Sequence, residues 1–434
     1  MSTAALTTLG CKVNQCETAY LEHCLQKAGY VIRPFSEKAD LYCINTCAVT
    51  AKAAMQSRQL IRRAARQNPA ARLVVTGCYA QLAAADISRL DKVSLVLGNR
   101  EKFQLPVHLS QLACSKGAFI HVTDMVQCTS HLPLLLASAA RKTRAFLKVQ
   151  DGCDAFCTYC IIPHVRGRSR SVDPLSIRKQ VKNLLGNGHK EIVLTGIHLG
   201  QWGKDLRPRR DLLWLLQSIT AKPLPARLRL SSLEVGEVTP ELLDFIAATA
   251  AVCPHLHVPL QSGDATILRR MNRHYSPSLF KERLTAALEK IPGLALGTDV
   301  LVGFPGESER NFENTYRLLE SLDVAYLHVF PFSARPTTPA ARMANQVSPR
   351  VVRERCRLLR DLDRRKRQAF RQRFIGSVRP VLVESRQDRN SGGLLGFSDN
   401  YLPVVINQEL VSPNEMVLAR LDRMEHGRIV AAPV

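Results

Sequence analysis

The chain has 434 residues, an apolar fraction of 46%, and 60 Lys plus Arg against 37 Asp plus Glu, a formal charge of +23 at neutral pH. That length suits two or three domains with a sizeable core, and an excess of positive charge this large points to a polyanionic partner without saying which. The start, MSTAALTTLGCK, lacks a basic n-region and a long apolar run, and no stretch is long enough to cross a bilayer, so the expectation is a cytoplasmic protein without a membrane segment. Thirteen cysteines in a reducing compartment then read as metal-binding or catalytic rather than disulfide-bonded.

In chain order, Ala4 to Leu9 reads as a strand ending at Gly10-Cys11, and Asn14 as the cap of a helix reaching about Ala28. Asp40 to Thr46 is a second strand, ending at Cys47; a helix over Thr50 to Gln67 follows, and a strand over Arg72 to Thr76 runs into Gly77-Cys78. Three strands thus each deliver a cysteine past their C-terminal ends, the edge of a parallel α/β sheet where ligands gather. Cys11, Cys47 and Cys78 are therefore a candidate three-thiol site; otherwise they are small thiols packed behind strands. Asn99 to Ala145 is a connector, and its run HLPLLLASAA is expected to pack on a domain face.

Next comes QDGCDAFCTYCIIPHVRGRSR, with Cys153, Cys157 and Cys160 separated by three and then two residues. One loop offering three thiolates holds a [4Fe-4S] cluster with one iron left open; a zinc loop is the alternative, although zinc knuckles repeat a two-residue spacing and keep a fourth ligand nearby. Six apolar strands, FLKVQ, KEIVLTG, RLRLSSL, HLHVPL, ALGTDVLVGF and AYLHVFPF, alternate with helical stretches, which predicts a parallel sheet curled into a partial (β/α)6 barrel. Residues just beyond such strand ends line a cavity. They are Thr195, Gly196, His198, Ser232, Glu234, Gln261, Ser262, Gly303 and Phe330. His198 and His257 have an ordinary reading as hydrogen-bonded histidines, and Asp299 and Glu307 as caps or turn formers. Ser348 to Phe374 is a basic helix, either a solvated face or a phosphate contact. After Gly376 short strands and turns predict a small OB-like β-barrel, with Phe397 and Tyr401 as barrel core or as platforms for stacked bases.

These motifs carry a resemblance. The cysteine loop, with Tyr159 before its third thiol, resembles the radical S-adenosylmethionine (SAM) superfamily signature. TLGCKVNQCET, INTCAVT and TGCYAQ resemble the N-terminal domain of the methylthiotransferases, as do LTGIHLG, SSLE, HLHVPLQSG, TDVLVGFPGE and HVFPFS, and the C-terminal strands resemble a TRAM domain. The resemblance spans almost the whole chain. It implies an auxiliary-cluster domain over 1–110, a connector over 111–143, a radical SAM barrel with its basic helix over 144–373 and a TRAM domain over 374–434. It also implies two [4Fe-4S] clusters, an auxiliary one on Cys11, Cys47 and Cys78 and a radical-generating one on Cys153, Cys157 and Cys160, with SAM held by Tyr159 and the strand-end residues. Cys16 and Cys43 depart from the family pattern and read as inert thiols.

The activity implied is methylthiolation at C2 of a modified adenosine beside the tRNA anticodon, using two SAM molecules and an electron donor such as flavodoxin or ferredoxin, by a monomer. GCKVNQ and LTGIHLG resemble the branch acting on N6-threonylcarbamoyladenosine more than the branches acting on N6-isopentenyladenosine or on an aspartate of a ribosomal protein. A non-catalytic iron-sulfur protein that binds RNA or senses redox state is the rival from another class.

Overall fold

The computed structural model describes residues 1–111, 117–128 and 143–434, so Cys114 and the run HLPLLLASAA lie outside the described residues. The chain forms two compact units, one of residues 1–111, 117–128, 150–172 and 333–342, the other of residues 143–149, 173–332 and 343–434.

The first unit is built on six parallel strands, β1 (Thr3–Thr8), β2 (Val31–Arg33), β3 (Leu41–Thr46), β4 (Arg72–Gly77), β5 (Val93–Leu97) and β6 (Phe119–His121), in the order β2-β1-β3-β4-β5-β6. Its central strands read as continuous apolar runs because helices cover both faces. One face packs Tyr42, Ile44, Leu73 and Val75 with Ile61 of the helix Ala51–Gln67; the other packs Leu41, Cys43, Val74 and Leu95 with Leu21 and Leu25 of the helix Lys12–Lys27. The pattern predicts only β1, β3 and β4, since β2 and β6 have three residues each and β5 lies between charged turns. Asn14 sits inside the helix Lys12–Lys27, where Cys11 is the N-cap residue; its side chain instead donates to the Leu9 and Thr46 carbonyls at 2.8 and 3.1 Å.

In the second unit lies β7 (Arg144–Lys148), after which β8 (Gln150–Asp151) and β9 (Arg170–Ser171), paired antiparallel, close the cysteine loop within the first unit. The second unit continues with β10 (Glu191–Thr195), β11 (Arg227–Leu230), β12 (His255–His257), β13 (Ala295–Val302) and β14 (Tyr326–Pro331), all parallel, in two sheets ordered β11-β10-β7 and β12-β13-β14. The Cys253 amide donating to the Leu228 carbonyl at 2.8 Å and the Leu233 amide to the His257 carbonyl at 2.9 Å join the sheets into one open six-stranded wall, the partial barrel expected from the strand–helix alternation.

Five further strands, β15 (Val378–Gln387), β16 (Leu394–Ser398), β17 (Pro403–Ile406), β18 (Met416–Glu425) and β19 (Arg428–Pro433), close a barrel ordered β15-β16-β17-β19-β18. Between the two lies the basic helix Pro349–Gln372, whose Ser348 hydroxyl accepts from the Val351 amide. Cys356, Leu359, Leu362 and Phe370 form its buried face, and Arg350, Arg353, Arg357, Arg360 and Arg364 are exposed.

Candidate active site

Strands β1, β3 and β4 are neighbours, so their C-terminal ends bring Cys11, Cys47 and Cys78 to one edge of the first unit. Gly77, at φ +94°, makes the turn into Cys78, the first residue of the helix Cys78–Leu82, and a Cβ at Gly10 would stand 3.1 Å from Cys47 Sγ. All three cysteines are free thiols. Residue Cys11 is exposed overall, but desolvation pushes its thiol up; desolvation also pushes that of Cys47 up, to about 11. Cys11 feels the charge of Cys78, and Cys47 that of Cys78 and Cys11, while the Arg166 guanidinium pulls both down. Thiols that repel one another when ionised are close neighbours, and metal must drive their deprotonation.

Behind this edge lies a buried charge network. Arg166, fully buried, donates to Glu17 at 2.9 and 3.1 Å, to Asp151 at 2.9 and 3.0 Å and to Asn14 Oδ1 at 2.5 Å. Lys102, also fully buried, pairs with Glu17 at 2.5 Å and donates to Asn99 Oδ1 at 2.8 Å, while Asn99 Nδ2 stands 3.9 Å from Cys78 Sγ. Burial works against the Arg166 charge, but Asp151, Cys78 and Glu17 raise its pKa well above the ordinary value. Its Nε is buried without a hydrogen-bond partner among the described residues. A guanidinium beside three thiols with a donor to spare fits an anionic cluster on Cys11, Cys47 and Cys78. Sequence reasoning missed Arg166, Glu17, Lys102 and Asn99. One signal was available: Val13, Glu17 and Leu21 recur at helical spacing, which puts an acid on the buried face.

The second triad lies in the same unit. Cys157 is buried and Cys153 and Cys160 are half-buried. The Ala155 amide approaches Cys153 Sγ at 3.5 Å and the Cys160 amide donates to the Cys157 carbonyl at 3.0 Å, so the loop folds back on its own sulfurs. Gly152, at φ +72°, meets the Arg168 carbonyl so closely that a Cβ would lie 1.9 Å from that oxygen. Three cysteines on one tight loop fit a cluster with one iron open. Tyr159 is half-buried beside Cys160. Ile161 and Val165, just past the loop, pack in the same core as Cys78, Tyr42 and Ile44. Cys16 is buried in the first helix, and Cys43 sits in the sheet core, where burial pushes its thiol to about 12.

In the second unit Thr195 ends β10 buried, Gly196 is half-buried beyond it, and Ser232 is exposed after β11. Glu234 forms an ion pair with Arg273 and His198 a 2.7 Å contact with Glu237. Gln261 turns at φ +62°, and Phe330 is exposed at the end of β14. Ser262 and Gly303 have structural partners: Ser262 Oγ accepts from the Asp264 amide and lies 3.4 Å from Thr315 Oγ1, and the space beside Gly303 is taken by Val352 at 2.4 Å. Asp299 is neither a cap nor a turn former, since it bonds to His257 at 2.8 Å and His328 at 3.1 Å. Glu307 does close a turn, accepting from the Gly303 amide, and pairs with Arg355. Phe397 and Tyr401 stack on each other at 4.9 Å, with Arg144 4.5 Å over the first ring and Arg229 4.7 Å over the second, so their faces are engaged inside the unit.

Residues 3–98 match a family described as "Uncharacterized protein family UPF0004", and residues 147–319 match the radical SAM superfamily. The threonylcarbamoyladenosine tRNA methylthiotransferase MtaB of Bacillus subtilis (strain 168) is 39% identical over 407 residues, which cover 93% of this chain and 90% of that protein. Its namesake from Aquifex aeolicus (strain VF5) is 38% identical over 88% of this chain and 93% of its own. A tRNA-2-methylthio-N(6)-dimethylallyladenosine synthase of Clostridium botulinum (strain Okra / Type B1) is 30% identical over 90% and 88%. Among solved structures, the radical SAM methyltransferase TsrM of Kitasatospora setae, with cobalamin and a [4Fe-4S] cluster bound, shares the fold at a TM-score of 0.56 and 16% identity, over 79% of this chain and 77% of that one.

Proposed function

Because the chain belongs to the threonylcarbamoyladenosine tRNA methylthiotransferases of the radical SAM superfamily, we propose that it places a methylthio group on C2 of N6-threonylcarbamoyladenosine beside the anticodon of tRNA. It is an enzyme that uses SAM and iron-sulfur chemistry on a tRNA substrate. The observation that carries the reading is the pair of three-cysteine sets in one unit, one on a sheet edge and one on a loop, both fit for clusters.

The finer assignments are part of the same reading. Cys153, Cys157 and Cys160 hold the radical-generating [4Fe-4S] cluster, and Cys11, Cys47 and Cys78 an auxiliary one. Tyr159, Thr195, Gly196, Ser232, Glu234, Gln261, Ser262, Gly303 and Phe330 are the proposed SAM contacts, directly or through the turns they build. A C2–H bond of adenine has no acidity to exploit, and SAM with a [4Fe-4S] cluster, when bound, supplies the carbon radical such a bond requires. The chain's own contribution is electrostatic and positional: Arg166 places a fixed positive charge beside the auxiliary thiols, and the helix Cys78–Leu82 and the helix after Cys11 point their N-terminal ends to the same edge.

The substrate contact is assigned to the anticodon stem-loop, met by the exposed arginines of the basic helix and by a C-terminal TRAM-type barrel. The domain division at residues 110, 143 and 373, a monomeric state, flavodoxin or ferredoxin as donor and a cytoplasmic location complete the proposal. No helix of the described residues is long and apolar enough to cross a membrane.

Nucleoside mass spectrometry of tRNA from cells with and without the gene is the test. Loss of the methylthio form of threonylcarbamoyladenosine, with its precursor accumulating, is expected. Loss of methylthio-isopentenyladenosine would reassign the substrate, and unchanged tRNA nucleosides would overturn the reading.

A further inference from the structure

Three adjacent parallel strands of the second unit carry a polar cluster that the methylthiotransferase reading leaves unused. His257 ends β12, Asp299 lies in β13 and His328 in β14, and their ligand-capable atoms all fall within 4.8 Å of one another. His257 Nε2 is 2.8 Å from Asp299 Oδ1, and His328 Nδ1 is 3.1 Å from the same oxygen. With metal–nitrogen and metal–oxygen bonds of about 2.1 Å, two ligands at right angles stand about 3 Å apart. Both edges to the carboxylate match that spacing, and the third, between the two imidazoles, lies within 4.8 Å and closes when an ion is bound.

The surroundings fit the same purpose. The far ring nitrogen of His257, Nδ1, lies 3.1 Å from the Tyr326 hydroxyl, which is itself 2.9 Å from His255 Nε2. A metal-binding imidazole is commonly held through its second nitrogen in this way, which fixes both tautomer and ring plane. A Cβ at Gly297 would fall 2.1 Å from the Tyr326 ring, so the backbone of β13 makes room for that tyrosine. His257 is buried, Asp299 half-buried and His328 exposed, which leaves one side open to solvent or ligand.

We propose that His257, Asp299 and His328 bind one first-row divalent transition ion, through two imidazoles and one carboxylate with the remaining positions open. Two neutral imidazoles and a carboxylate on one face are a donor set suited to zinc or ferrous iron and poorly suited to magnesium or calcium. The triad brings a single negative charge, and Arg367 lies 5.0 Å over the Tyr326 ring, so the affinity is lower than that of a site with two carboxylates. The inference does not depend on the methylthiotransferase reading, and its failure would leave that reading untouched.

The experiment uses the full chain with its iron-sulfur clusters reconstituted, so that the six site cysteines are occupied. The protein is stripped with a chelating resin, titrated with zinc chloride, freed of unbound metal and analysed for zinc and iron. One zinc per chain beyond an unchanged iron content is expected. His328→Ala, at an exposed position, should weaken zinc binding at least about 100-fold with iron unchanged, and Tyr326→Phe by about 10-fold. Should a variant also lose iron, anomalous diffraction at the zinc edge on the unsubstituted protein decides, with a peak expected among the three side chains. Zinc that merely replaces iron, zinc held equally well by His328→Ala, or an anomalous peak elsewhere would overturn the proposal.

Discussion

Replacing Arg166 with methionine tests the buried network behind the auxiliary thiols. The substitution keeps much of the volume and removes five hydrogen bonds, two to Glu17, two to Asp151 and one to Asn14. Glu17 keeps its Lys102 partner at 2.5 Å, so the loss falls mainly on Asp151, only 4% exposed, whose carboxylate forfeits its guanidinium. Removing one partner of a buried ion pair costs about 3–5 kcal/mol, a large share of the ~5–15 kcal/mol that holds a domain folded. Arg166→Lys keeps a charge but not the two-pronged geometry and should lose about 2 kcal/mol.

Amide hydrogen exchange is the suitable assay because it reads local opening. At ~1.4 kcal/mol per tenfold, a loss of 3 kcal/mol speeds exchange by about 10²-fold, at the start of the first helix and in the β8–β9 pair. Arg166 also pulls the Cys11 and Cys47 thiols down, so the methionine variant should assemble less iron at neutral pH. Exchange within about threefold of the unsubstituted protein, with full iron content, would refute the network's role.

Gly152→Ala should disorder the cysteine loop, since the added Cβ meets the Arg168 carbonyl at a left-handed φ; if both proposed clusters are present, iron should fall to about half that of the unsubstituted protein, and an unchanged content would contradict the fit. Burial opposes the charge of Glu191, but Arg229, Arg227 and Arg144 overcome it and hold its carboxyl at about 2. A depressed carboxyl contributes stability that is present above its unfolded value near ~4.3 and lost as pH falls toward 2, an effect of order 3 kcal/mol. Trp202 and Trp214, both in the second unit, report this as a falling urea midpoint below pH 4.5, which Glu191→Gln should flatten. The thiols run the other way: burial raises Cys43 to about 12 and Cys47 to about 11, so their contribution is full below the unfolded thiol value near ~8.5 and lost as pH rises through the folded values. Cluster-free protein should therefore lose stability between pH 9 and 11, and a flat urea midpoint across that interval would argue against buried, protonated thiols.

The sequence by itself determined the elements that a local pattern can specify. Three strands each followed by a cysteine, Cys11, Cys47 or Cys78, the six barrel strands and the final small barrel follow from apolar runs punctuated by turn residues, because strand periodicity and turn chemistry act over a few residues, and the spacing of Cys153, Cys157 and Cys160 is read directly. Only the tertiary structure decided which distant charges share a buried space. Arg166 and Glu17 are 149 positions apart, and Asp299 meets His257 and His328 from 42 and 29 positions away. No local pattern encodes such pairings, since they arise when separate strands and helices come together and each buried charge must find a partner. The same holds for Phe397 and Tyr401, aromatics beside a turn in the sequence, whose faces are taken by Arg144 and Arg229 once the strands that carry those arginines are in place.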